Sequence, residues 1–254
     1  MTKKRIFLDA GHNDSGWNTG AVGNGLREQD ISYEVCKLVS GMLLRDFEVR
    51  LSRETREVNL GTDNASSINK RWQMANNWCA DYFISVHCNA FNGTAHGAET
   101  LYFKDDSKKF ATVLQDIYVS EMGISDRGIK FRNDIAVIRH TRMPSVLIEL
   151  GFIDNIEDAF MLRTKKAEMA AAIVRGVYKV TYGDKEVKKD GENENKEELE
   201  MQRFNTIEEI PTWGRPTIEK LQSLGFLNGN ENGLDISEDM LRIFVVHDRI
   251  GIYD

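Results

Sequence analysis

Two histidines, His12 and His87, each close a short apolar run, while Glu28 follows a glycine-rich loop and Glu149 ends a third apolar run. Imidazole nitrogens and carboxylate oxygens are the donors of a catalytic zinc site. Such a site takes three protein ligands in a tetrahedral shell and leaves the fourth position to water, whose pKa falls to about 7. His12, Glu28 and His87 are the candidate ligands. Glu149 would face the metal as general base, taking a proton from water and later returning it to a leaving amine. The same four positions are equally compatible with structural histidines and surface carboxylates, because spacing along a chain does not test convergence in space.

Bringing these groups together requires strands that end on one edge of a sheet. Ile6-Phe7-Leu8-Asp9-Ala10 is short and apolar, breaks at Gly11 and reads as a strand buried on both faces. Tyr82 to His87 repeats that design, and Ser145 to Leu150, after Pro144 and before Gly151, is the third such run. Ligands of open α/β sheets bind beyond the carboxyl ends of the strands, where these side chains would sit. Glu48 to Arg53 and Gly97 to Phe103 supply further strands. Helical spacing appears from Asp30, over Asn64 to Trp78, from Phe110, over Ile156 to Leu162 behind Asp154 as cap, and over Ala167 to Tyr178. Arg71, within the second helix, reads as part of a solvated face. Asn13 to Gly25 is glycine-rich without a phosphate-cradle signature, so it reads as a flexible substrate-side loop whose glycines let Glu28 fold back.

Strands alternating with helices predict an α/β fold: a mostly parallel or mixed twisted sheet flanked by helices on both faces. That domain would occupy residues 1–182. Residues 183–200 are a charged run with few large apolar side chains and read as a flexible linker. Residues 201–254 regain apolar character as a small, mainly helical module, with a helix at Ile218, Leu221 and Leu224 and a last one capped by Ser237. A unit of that size without disulfides is marginally stable alone, so docking or a homo-oligomer through it is expected.

The net charge of −7 is unevenly distributed, since residues 183–254 hold 9 Lys+Arg against 17 Asp+Glu. An acidic tail and the lack of a basic patch speak against nucleic acid as a partner. No apolar run approaches the ~20 residues of a membrane helix, so no membrane partner is expected. Cys36, Cys79 and Cys88 follow no paired spacing and read as reduced thiols, with Cys88 in the core because its strand parity opposes that of His87. The basic start Met-Thr-Lys-Lys-Arg lacks a following apolar stretch, which predicts synthesis in the cytoplasm without a signal peptide.

Five local motifs carry a resemblance across roughly Lys4 to Tyr182. They are Leu8-Asp9-Ala10-Gly11-His12, Gly25-Leu26-Arg27-Glu28, Arg71 with Ala75-Asn76, Ile84-Ser85-Val86-His87-Cys88-Asn89-Ala90, and Pro144 to Phe152 around Glu149. In this order they resemble the zinc-dependent N-acetylmuramoyl-L-alanine amidases of type 3, a family of peptidoglycan hydrolases, autolysins and phage endolysins. The resemblance implies that His12, Glu28 and His87 hold Zn2+ and that Glu149 is the catalytic acid/base. It also implies the reaction, cleavage of the amide joining N-acetylmuramic acid to the L-alanine of the stem peptide in bacterial peptidoglycan, after holin-type or lysis-dependent release. One departure is the stretch Asn13-Asp14-Ser15-Gly16-Trp17, which replaces the two glycines that commonly follow the first histidine. Trp17 is a candidate to stack on a sugar face.

More faintly, Trp213, Ile218, Leu221, Gly225, Leu227, Gly229 and Gly233 resemble a cell-surface or S-layer-homology-like half repeat. That implies a secondary cell-wall polymer as a second partner. Among the other histidines, His96 and His247 carry no assignment, and His140 is flagged as a substrate or outer contact. Two other functions compete: a catalytically silent wall-binding protein that keeps the fold, and a zinc carboxypeptidase acting on the stem peptide.

Overall fold

The computed structural model describes residues 3–183 and 203–227 and, beyond them, residues 229, 233, 234, 236, 237, 240, 241, 244, 245 and 248. The chain divides into two compact units between Val187 and Lys188. The first contains β1 (Arg5–Ala10), β2 (Val22–Gly23), β3 (Leu26–Arg27), α1 (Glu28–Leu43), β4 (Glu48–Leu51), α2 (Asn64–Asn77) and β5 (Tyr82–Asn89). There follow β6 (Ala98–Tyr102), α3 (Asp105–Met122), β7 (Asp126–Phe131), α4 (Ala136–Arg139), β8 (Ser145–Phe152), α5 (Ile156–Thr164) and α6 (Lys166–Tyr182).

Six strands form one mixed sheet in the order β4-β1-β5-β8-β6-β7. β4, β1, β5 and β8 run parallel, and β6 pairs antiparallel with β8 while β7 follows β6. Because side chains alternate along a strand, each strand feeds two separate cores. Ile6, Leu8, Ala10, Ile84, Val86, Cys88, Val146, Ile148 and Leu150 pack with apolar residues of α1, α3 and α6 on one face. Phe7, Phe83, Leu101 and Leu147 face the other way, against Ala75 of α2 and Val137 and Ile138 of α4. Continuous apolar runs at β1, β5 and β8 are thus the signature of central strands covered on both sides. Cys88 lies in the first core, as its parity predicts, and burial raises its thiol well above the usual range.

Several local readings change. Asn155, not Asp154, caps α5 by accepting from Glu157 and Asp158 N–H, while Asp154 Oδ2 accepts from Phe91 and Gly93 N–H. The glycine-rich loop is not loose throughout: it ends in the hairpin of β2 and β3. The edge strand β7 and the one-turn helix α4 carry no sequence pattern strong enough to announce them.

In the second unit β9 (Arg203–Phe204) pairs antiparallel with β10 (Ile236–Ser237), and α7 (Arg215–Ser223) starts with Pro216 in its first turn. Phe204, Ile210, Ile218, Leu221, Leu234, Ile236, Leu241 and Val245 make its core. Ser237, read as a helix cap, lies in β10. The linker beyond Gly183, residues 228 and 230–232 of the expected turn, and His247 lie outside the described residues.

Candidate metal centre

His12 follows β1 after Gly11 and adopts φ of 64°, the left-handed region that costs a non-glycine residue energy. Its carbonyl is held by Arg71 Nη2 at 2.5 Å, which secures this conformation. Glu28 is the first residue of α1, and the β2–β3 hairpin sets its position. Asn24 and Gly25, with φ of 50° and 75°, form the two-residue turn of that hairpin, an arrangement that Asn-Gly favours. Glu28 is further clamped to Ala21, donating its N–H to the Ala21 carbonyl and accepting the Ala21 N–H on Oε2, both at 2.9 Å. His87 projects from β5 on the α2 side of the sheet, and its ring lies against the backbone of Gly11. A Cβ on Gly11 would meet that ring at 2.5 Å, and one on Gly20 would meet Glu28 Cβ at 2.7 Å and His12 Cδ2 at 3.0 Å. Glycine is therefore required at both positions by close approach.

The three side chains converge. Glu28 Oε1 is 2.9 Å from His12 Nε2 and 2.9 Å from His87 Nδ1, and the two ring nitrogens are 3.2 Å apart. These ligand atoms all lie within 4.8 Å of one another and can hold a metal ion. Burial alone would raise the Glu28 carboxyl, but hydrogen bonds to His12 and His87, with their charge, outweigh it and hold the group well below the usual carboxylate range. The donor set fits a divalent ion such as zinc, two imidazole nitrogens and a carboxylate oxygen presenting lone pairs to a common point. His12 Nδ1 is enclosed with no hydrogen-bond partner among the described residues.

Behind the ligands lies a polar network that sequence reading did not reveal. Arg71 is buried rather than solvated: Nη1 contacts Asp9 Oδ1 at 2.7 Å and the Ala10 carbonyl at 2.6 Å, and Nη2 reaches Asn13 Oδ1 at 3.0 Å. Asn13, fully buried, also accepts from Leu60 N–H and donates to the Leu60 and Trp17 carbonyls. The stretch that departs from the family's two glycines is thus pinned at its root. Trp17 donates its indole N–H to the Leu60 carbonyl at 3.1 Å, which commits its polar edge to the loop itself.

Glu149 stands beside His87 in the β5–β8 register and opposite Glu99 in the β6–β8 register, so all three project to one side of the sheet. A cavity of about 530 Å³ is lined by His12, Glu28, His87 and Glu149, with Arg132 and Asp134 also in its lining. Glu149 Oε2 is enclosed and accepts no hydrogen bond among the described residues. Burial, followed by the like charges of Glu28 and Glu99, pushes its carboxyl well above the usual range. Glu99 goes the other way, since Lys130 and Arg127 outweigh its burial and keep it low. His140 packs its ring on Trp72 and faces Arg139, outside this cavity, and His96 lines a separate one.

Residues 6–179 match the family described as N-acetylmuramoyl-L-alanine amidase. The chain belongs to this amidase family. Its matched span carries all four candidate site residues and stops short of the second unit. The chain is 34% identical over 183 residues to the N-acetylmuramoyl-L-alanine amidase CwlM of Bacillus licheniformis, the match covering 68% of this chain and 65% of that one. It is 39% identical over 168 residues to an endolysin of Bacillus phage SPP1, covering 63% of this chain and 59% of the endolysin. The chain therefore spans about three fifths of the length of these two relatives. Among solved structures, the catalytic domain of the amidase CwlV from Bacillus (Paenibacillus) polymyxa var. colistinus is 30% identical with a TM-score of 0.64, over 70% of this chain and 98% of that domain. The amidase fold thus corresponds to the first unit. Among the described residues, no helix is long and apolar enough to cross a membrane.

Proposed function

We propose that the chain is a zinc-dependent peptidoglycan hydrolase of the endolysin or autolysin type. It cleaves the amide between the lactyl group of N-acetylmuramic acid and the L-alanine of the stem peptide. The observation that carries this reading is the meeting of His12 Nε2, Glu28 Oε1 and His87 Nδ1 in a cavity that Glu149 also lines. His12, Glu28 and His87 would hold a zinc ion, which would supply Lewis acidity toward the scissile carbonyl and toward water, whose pKa on catalytic zinc falls to about 7. Glu149 holds and moves the proton. Its enclosure and its anionic neighbours raise its proton affinity, which suits a group that takes a proton from the attacking water and delivers it to the leaving nitrogen. The Glu28 side chain, clamped to Ala21 and to Cys88 N–H, is held for binding rather than proton transfer.

The test is mass spectrometry of purified peptidoglycan digested with zinc-loaded protein. New L-alanine amino termini are expected, and Glu149→Gln should slow their release by about 10²–10⁴-fold, the usual contribution of a general acid–base. Free reducing sugars, or release of a terminal stem residue, would instead indicate a glycosidase or a carboxypeptidase; no product at all would leave a silent wall-binding protein.

Residues 201–254 are assigned to a module that holds the enzyme to the wall through a secondary polymer, joined to the amidase domain by residues 183–200. Support comes from its separate core and from Trp213 and Phe226, which are 43% and 69% exposed. Aromatic faces of this kind stack on sugars.

A further inference from the structure

Resting on the metal reading above, we infer that Arg71, Asp9 and Ser85 form a relay that biases the tautomer of His87 toward a proton on Nε2, which leaves Nδ1 bare for the metal. Two groups face the ring nitrogens: Glu28 Oε1 lies 2.9 Å from Nδ1, where the metal would be shared between them, and Ser85 Oγ lies 3.1 Å from Nε2. Ser85, two residues before His87 on β5 and on the same side of the sheet, lies across from Asp9 in the β1–β5 register. Its Oγ is 2.7 Å from Asp9 Oδ2 and 3.1 Å from His87 Nε2. A hydroxyl has one proton, and a carboxylate can only accept, so that proton goes to Asp9. What Ser85 offers His87 is a lone pair, and Nε2 must donate to it. The other Asp9 oxygen is taken by Arg71 Nη1 at 2.7 Å, in a pair that is buried on both sides. Arg71 has no acceptor to offer, so it fixes the direction of the whole chain. The tight approach of the His87 ring to Gly11 keeps the ring in place within it.

Arg71, Asp9 and Ser85 are positioning residues on this account, and they act on one ligand only. His12 Nδ1 has no comparable partner among the described residues, so the relay is specific to His87. Asp9→Asn makes a sharp test because Arg71 would keep the amide oxygen and turn the amide NH₂ toward Ser85. The Ser85 proton would then point at His87 Nε2, and the ring proton would move to Nδ1, where a metal must bind.

The experiment uses the full chain with ¹⁵N-labelled histidine. Long-range ¹H–¹⁵N correlation spectra at pH 8, with and without zinc chloride, report the His87 tautomer, and a competing chromophoric chelator reports zinc affinity. Wild type should show His87 protonated at Nε2 with zinc bound, and without metal a population of that form against the pull of the Glu28 carboxylate on Nδ1. Asp9→Asn should show the Nδ1-protonated form without metal and bind zinc about 10–100-fold more weakly, as loss of an outer partner of a metal-ligating histidine does. Ser85→Ala, which removes the hydroxyl at little steric cost, should shift the metal-free ring toward the Nδ1-protonated form and give a smaller loss of affinity. It decides the matter alone if Asp9→Asn does not fold. A wild-type tautomer in both variants, with zinc affinity within twofold of wild type, overturns the relay. If wild type binds no zinc while the metal-free tautomers behave as described, the relay stands and the metal reading is what fails.

Discussion

Asp9 is the carboxylate on which the buried side of the site hangs, and its environment makes stability depend on pH. Burial would raise it, but Arg71 and the Ser85 hydroxyl outweigh that and hold it below its ordinary range. A carboxyl depressed on folding stabilises the protein above its unfolded value of about 4, and the contribution is lost as pH falls through the lower folded value. The melting temperature should therefore drop on acidification below about pH 4, and the drop should be smaller in Asp9→Asn, where only the other depressed carboxyls remain. Arg71→Met should show the same loss at neutral pH, because a buried charge left without its partner costs about 3–5 kcal/mol, read by urea denaturation. A flat profile in wild type across this window would place the pair outside the stabilising network.

Among the elements, the hairpin of β2 and β3 has an influence out of proportion to its four strand residues, because it delivers Glu28 at the start of α1. Gly25 has φ of 75°, where a β-branched side chain is strained. Gly25→Val should weaken zinc binding in chelator competition through displacement of Glu28, whereas Gly41→Ala, on open surface within α1, should leave it unchanged. Equal affinities in both variants would show that the turn does not govern the ligand. Of this hairpin only the Asn24-Gly25 turn was legible in the sequence, since strands of two residues are too short to show alternation. The three central strands were legible, because burial on two faces concentrates Ile, Leu, Val and Phe before His12, His87 and Glu149. β7 was not, because a sheet edge accommodates the charged Asp126, Arg127 and Lys130, the last two paired with Glu99, and they erase the pattern. Arg71 was misread for a related reason. Its helix reads as polar, and what buries the guanidinium is the backbone of β1 and the Asn13 loop, which no helical periodicity encodes.

In the molecule as a whole, the four candidate site residues lie in the first unit, and the second contributes a separate core with exposed aromatic residues. The double variant Trp213→Ala, Phe226→Ala should reduce cosedimentation with purified walls yet leave turnover of a soluble muramoyl peptide unchanged. Loss of both activities together would mean that the second unit supports the first rather than the wall contact.

The most direct measurement is a titration of metal-free protein with zinc chloride against a chromophoric chelator, repeated with His12→Ala, Glu28→Ala and His87→Ala. One zinc per chain is predicted for wild type, with binding at least 100-fold weaker in each variant, since a three-ligand site loses a third of its donors. Wild-type affinity retained in the three variants, or no binding by the wild-type chain, would contradict the account.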